Sequence, residues 1–436
     1  MATEADTSAV VSPLFTYASS SQTSSDACFA RSGRLMGLQT PTFSVLTSRG
    51  MPLVLRPNIV EKHLTSPILY QLPYGDLVVR QDLAKLDGEN ASKGCCALWP
   101  HLFGNVKYCS FRNPLKNPSV HGGDAACSVE TVGGRKKVLP KDVLDLQELM
   151  RADIVGAPGE EVTYDVIASR RMQRAVARAG DWLKQILDTK AKQPSSDWHV
   201  LASIQGGRDT KLRQKACADA AALPIAGVWV GGLGYSETLF ERALVLESVS
   251  SALPPALPRF LPLSSGSPIE VLQAVLLGMD VMEISYPVDA ALDGTALIFQ
   301  WKMPEVGGSD TKIPQGLLPI QEGDENLSIK PLPTAVLQMQ LRAPEWREDF
   351  LPISDNSPVR QYSRSYIHHL LEVRELLGSM LLVEHNLFVY ARFFEELRAH
   401  VTNGTLRCYA SWFLETQTAE APAPPPAGPA AKRRKT

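Results

Sequence analysis

Residues 200–207 read VLASIQGG, 225–234 read IAGVWVGGLG, 260–266 read FLPLSSG and 281–287 read VMEISYP. Each is a short apolar, β-branched or aromatic run that ends in small or polar residues. Helix-like stretches lie between them at 209–222, 236–251 and 267–278. Upstream, 139–151 (with Pro140 placed to start a helix) leads into the apolar 152–155, and 164–189 has amphipathic spacing; downstream, 296–301 is one more short run. Strands alternating with helices of this length specify a parallel sheet, because each crossover needs a dozen or more residues. In an α/β barrel the pocket is built where such strands end. Glycines there serve tight turns or let the backbone approach a flat ligand, and four successive ends rich in small or polar residues favour a pocket. Gly231-Gly232-Leu233-Gly234 lacks the G-x-G-x-x-G spacing, and no Walker sequence occurs.

The whole chain fits that frame. Of 436 residues, 44% are hydrophobic, and 44 Lys+Arg against 46 Asp+Glu leave a net charge of −2, so no global field draws the chain to nucleic acid or anionic lipid. No run approaches the roughly 20 apolar residues that span a bilayer. Seven cysteines, an odd number with no Cys-x-x-Cys pair, argue against a disulfide framework and for a reducing compartment. Glu4 and Asp6 near the start count against a secretory signal. Residues 1–30 read as a disordered Ser/Thr-rich leader, about 303–335 as a polar insertion, and 413–436 as an Ala/Pro-rich disordered tail. The tail ends in Lys432, Arg433, Arg434 and Lys435, which fit either a nuclear-import signal or a solvated end. Two helices are expected at 364–377 and 381–398, joined near Gly378.

The stretch 363–398, SRSYIHHLLEVRELLGSMLLVEHNLFVYARFFEELR, resembles the C-terminal helical segment of the tRNA-guanine transglycosylase family. The similarity extends through Met282-Glu283 with Pro287, Gln205-Gly206-Gly207, Gly231-Gly232-Leu233, Arg34-Leu35 and TPTFSVLTSRG at 40–50, covering roughly 30–400. The resemblance implies a TIM-type (β/α)8 barrel over 31–350 and a C-terminal helical subdomain over 351–412. It also implies exchange of guanine for queuine at the tRNA wobble position, through one nucleophilic aspartate and a second that moves protons. Gln205, Gly206, Gly207, Gly231 and Gly232 would be remnants of the base pocket.

The sequence departs from the family pattern where the chemistry sits. Glu283 takes the nucleophile's position, and Val288-Asp289 replace the Thr-Arg expected after Pro287. No Asp-Ser-Gly-Gly-Phe-Gln occurs; the corresponding stretch is Cys109-Ser110-Phe111-Arg112-Asn113-Pro114. The family's zinc cysteines fall on Ser354, Asn356 and Val359, and its histidine on His385, so neither metal nor other cofactor is expected. These losses make the chain similar to the family's non-catalytic members. They imply a heterodimer with a catalytic queuine tRNA-ribosyltransferase subunit, tRNA bound through the complex, no membrane, and a cytoplasmic location. Two alternatives stay open: a self-sufficient base-exchange or glycosyl-transfer enzyme using Glu283, or a nuclear interaction scaffold addressed by the basic end. Arg171, Arg174 and Arg178 share one helix face and read equally as phosphate contacts or as a solvated surface.

Overall fold

The computed structural model describes residues 14–18, 29–79, 85–116, 118, 120–192, 197–304, 317–319 and 335–419. Eight parallel strands form the centre: β1 (Thr42–Ser48), β2 (Leu69–Pro73), β3 (Val106–Ser110), β4 (Ile154–Gly156), β5 (His199–Ile204), β6 (Gly227–Val230), β7 (Arg259–Pro262) and β8 (Val281–Glu283). They pair in chain order, and β8 closes on β1 through Val281 opposite Thr42 and Glu283 opposite Ser44. The TIM-type (β/α)8 barrel is therefore present and closed.

The crossovers show why these segments fold as they do. Helix α1 (Pro57–His63) follows β1, α2 (Pro140–Met150) and α3 (Ser169–Lys190) flank β4, and α4 (Thr210–Ala221), α5 (Leu239–Ala252) and α6 (Pro268–Leu276) follow β5, β6 and β7. Three of them carry their start signals in the sequence. Asp209 accepts the Leu212 N–H at 2.9 Å; Thr238 with Glu241, and Ser267 with Glu270, form capping boxes. Opposite the strand ends, Arg31 pins the chain before β1 to the start of β8 through the buried Asp280, to which its Nε donates at 2.9 Å.

A long helix, α9 (Leu376–Thr402), lies against α7 (Tyr286–Leu292), with α8 (Arg364–Glu372) before it and α10 (Leu406–Thr416) after it. The expected join near Gly378 is corrected: the break is at 373–375, where Arg374 takes φ +59°, and Gly378 is packed inside α9. The 164–189 helix starts later, at Ser169. The run at 296–301 gives only Thr295–Leu297, outside the barrel, paired antiparallel with Gln338–Gln340.

The ends differ from expectation for one physical reason, buried apolar side chains. Within the supposed 1–30 leader, Phe15–Ala18 pairs antiparallel with Ser32–Leu35, and Leu14 and Phe15 are buried. Beyond 412, Phe413 and Leu414 are buried in α10, and Thr418–Ala419 pairs with Ala335–Val336. Most of the 303–335 insertion and the basic cluster Lys432–Lys435 lie outside the described residues, but Leu317 of the insertion is buried and its carbonyl accepts from Gln273 Nε2 at 3.1 Å.

Candidate functional site

Glu283 ends β8 inside the barrel mouth and is 0% exposed. Its Oε2 accepts from Gln71 Nε2 at 2.6 Å and Ser110 Oγ at 2.8 Å, and its Oε1 accepts from the Tyr108 hydroxyl at 2.8 Å. Tyr108 and Ser110 reach it together because alternate residues of β3 face the same side. Burial pushes the Glu283 carboxyl up to about 7, against the stabilising hydrogen bonds from Ser110 and Tyr108. The group is a fully caged carboxyl with no exposed surface to offer a ribose.

Beside it, the stretch 109–114 sends Arg112 into the mouth. Its Nη1 donates to Glu161 Oε2 at 2.9 Å and to the Leu233 carbonyl at 2.7 Å, and its guanidinium stands 3.9 Å from the Tyr235 ring centre. Glu161 also accepts from the Gly232 N–H at 2.9 Å and the Tyr235 hydroxyl at 3.2 Å.

The five candidate pocket residues are brought to this mouth, and each packs against other parts of the chain itself. A Cβ on Gly231 would come within 2.1 Å of Gln205 Nε2, and one on Gly206 within 2.6 Å of Arg213 Cγ. Arg213 donates to the carbonyls of Gly207 at 2.8 Å and Gly231 at 3.0 Å. Burial lowers its guanidinium to about 10. Gln205 is buried, with its Nε2 on Ser203 Oγ at 2.8 Å. Arg112, Glu161 and Tyr108 were not singled out by sequence. The available signal was the inward alternation of Tyr108 and Ser110, and the Glu160-Glu161 pair in the loop after β4.

The zinc position has no donor set for the metal. Val359 is buried and has no ligand atom, Asn356 is exposed, and Ser354 is half-buried. His385 is 1% exposed with both nitrogens engaged: Nδ1 with Ser357 Oγ at 2.9 Å, Nε2 with the Leu297 carbonyl at 2.8 Å. Burial lowers it to about 4. A hydrogen-bonded imidazole thus ties α9 to the 354–359 loop and to Thr295–Leu297, and Asn386 reinforces it by accepting from Leu297 N at 2.9 Å. Among the described residues no group of three or more His, Cys, Asp or Glu is arranged to hold a metal ion.

The arginine face of α3 is partly neutralised. Arg178 reaches Glu160 Oε2 at 2.7 Å and Asp124 Oδ1 at 2.9 Å, and Arg171 reaches Glu160 Oε1 at 3.4 Å. Glu160 is nearly fully buried, so these arginines fasten α3 to the loop after β4.

The chain is thus a closed (β/α)8 barrel with a buried carboxyl at the end of its last strand and helices packed beyond it. The family profile described as queuine tRNA-ribosyltransferase matches residues 27–419, and the chain belongs to that family. A queuine tRNA-ribosyltransferase-like protein of Plasmodium falciparum is 26% identical, covering 89% of this chain and 97% of its own length. Proteins named queuine tRNA-ribosyltransferase accessory subunit 2 are also similar. That of Xenopus tropicalis is 25% identical over 86% of this chain and 92% of its own, and that of Ixodes scapularis 30% over 68% and 74%.

Proposed function

We propose that this chain is the non-catalytic half of a heterodimer in which a catalytic queuine tRNA-ribosyltransferase subunit exchanges guanine for queuine at the tRNA wobble position. The observation that carries the reading is the cage around Glu283. A nucleophile must approach the ribose to within bonding distance, and this carboxyl is wholly buried under Gln71, Tyr108 and Ser110. The names of the relatives support the same role. Phe350 and Leu351 before α8, with Val373 and Leu376 at its other end, are exposed apolar side chains and give the subdomain a surface suited to a partner. Gln205, Gly206, Gly207, Gly231 and Gly232 are then a pocket lining that serves packing. A cytoplasmic place, or a nuclear one directed by Lys432–Lys435, belongs to the same proposal.

The test is queuine exchange into tRNA by this chain alone, by the catalytic subunit alone, and by the two mixed. Activity only in the mixture is the expected result. Turnover by this chain alone, abolished in Glu283→Gln, overturns the reading.

A further inference from the structure

We propose that the cleft at the closed end of the barrel, between the strands of 32–40 and the last turns of α9, binds the phosphate group of a small organic phosphate. The cleft has a volume of about 660 Å³ and adjoins a recess of about 250 Å³ beside the starts of β1 and β2; the two share Arg34, Gln39, Glu395 and Arg398. One wall is a row of donors set by strand register. Thr16 stands opposite Arg34 and Arg34 opposite Gln39, so a hydroxyl, a guanidinium and an amide lie side by side on the sheet. The other wall carries Arg398 of α9, whose Nη1 donates to the Pro41 carbonyl at 3.1 Å. Neither guanidinium forms an ion pair with a carboxylate among the described residues, and Glu395, the acid of the cleft, is held by Arg392 Nη1 at 2.5 Å. Burial lowers the Arg398 guanidinium, and Glu395 opposes this only in part. The carbonyl end of α9 does not cancel the charge either, because the Ala399, His400 and Val401 carbonyls accept from the N–H groups of Asn403, Thr405 and Gly404. A further polar group lacks a partner: Thr40 lines the cleft, is 1% exposed, and its hydroxyl has no hydrogen-bond partner among the described residues. A buried hydroxyl left unpaired costs stability, and a ligand oxygen within its reach recovers that cost. Guanidiniums on two walls suit a tetrahedral oxyanion, which presents oxygens in several directions, better than a planar carboxylate, which a single fork satisfies. The recess gives room for the rest of the molecule, and Leu38, Phe43, Leu64 and Phe394 line it, so it suits an aromatic or apolar body. The site lies at the opposite end of the strands from Glu283 and does not rest on the non-catalytic reading.

The full chain is melted in inorganic phosphate and in phenyl phosphate, against sodium chloride of equal ionic strength, and binding is followed by calorimetry. At about 20 mM ligand and about 1 mM affinity, mass action gives the wild type a rise of roughly 2–3 °C. Arg34→Ala changes an exposed side chain, so it should fold normally and lose the rise, while Arg34→Lys, which keeps the charge without the fork, should keep part of it. Thr40→Val removes the unpaired hydroxyl. It should leave the ligand-free midpoint unchanged or higher while weakening phosphate binding severalfold, a pair of effects that a purely structural Thr40 would not give. Phenyl phosphate should bind about tenfold more tightly than inorganic phosphate, through burial of its ring. Equal binding of the two leaves the recess unused and overturns the assignment of an organic ligand. Displacement of phenyl phosphate by tRNA at equal salt assigns the cleft to a nucleic-acid backbone and overturns the small-molecule reading. No rise at all, or a rise equal in the wild type and Arg34→Ala, as general exclusion of the salt from the surface would give, overturns the site itself.

Discussion

At Glu283 one methylene and three donors decide the chemistry. In Glu283→Gln the side-chain oxygen can keep Gln71 and Ser110 as donors, while the new amide donates to the Tyr108 oxygen, so the cage survives. We expect exchange by the mixed subunits to stay within about twofold of wild type, measured as initial rate, because neutral substitutions outside the reacting atoms cost little. The same substitution has a signature in stability. The buried carboxyl takes up its proton at about 7 in the folded chain, against an ordinary value of 4.5, so between those pH values the folded state binds more protons than the unfolded one. Its contribution therefore falls as pH rises from 4.5 to about 7, by up to about 3 kcal/mol. Denaturant melts should show Glu283→Gln gaining on the wild type across that window and holding the gain above it.

His385 carries the opposite sign. Its folded value of about 4 lies below the ordinary 6.5, so its contribution is complete above pH 6.5 and is lost as pH falls toward 4. The two slopes nearly cancel between 4.5 and 6.5 in the wild type, and each single variant should expose the other. His385→Ala leaves the Leu297 carbonyl and Ser357 hydroxyl without their partner at the junction of α9. It should cost about 2–4 kcal/mol in urea melts, and a zinc chelator should leave the wild-type midpoint unchanged. On α3, Arg178→Ala leaves Glu160 with Arg171 alone and should cost about 1–3 kcal/mol of stability. The salt dependence of tRNA binding by the mixed subunits should stay unaltered, because the charge faces the protein. These elements were legible to different degrees. Caps such as Asp209, Thr238 and Ser267 are local chemistry, so the helices they start were read from spacing. The break at 373–375 was misplaced because Gly378, the residue that usually ends a helix, is needed here for close packing against Leu370. Arg112–Glu161 could not be read at all, since 49 residues separate its members and only barrel closure brings them together.

For the whole molecule, closure is what makes the mouth self-sufficient. Strands β2, β3 and β8 each send side chains to one point, and the carboxyl there is enclosed by the chain's own donors. The fold was readable because alternation of strand and helix repeats along the chain; the ends were not, because a few buried residues such as Phe15 and Phe413 outweigh polar neighbours. One pairing at the edge has a practical consequence. Ala335 stands opposite Ala419 and Val336 opposite Thr418, so positions more than 80 apart in the chain lie side by side. A dye or other label carried by one strand of this pair is therefore a neighbour of the other strand. A donor dye at 418 and an acceptor at 335 should transfer energy strongly while the protein is folded and lose that transfer on unfolding, giving a reporter of this corner that touches neither the barrel mouth nor α9.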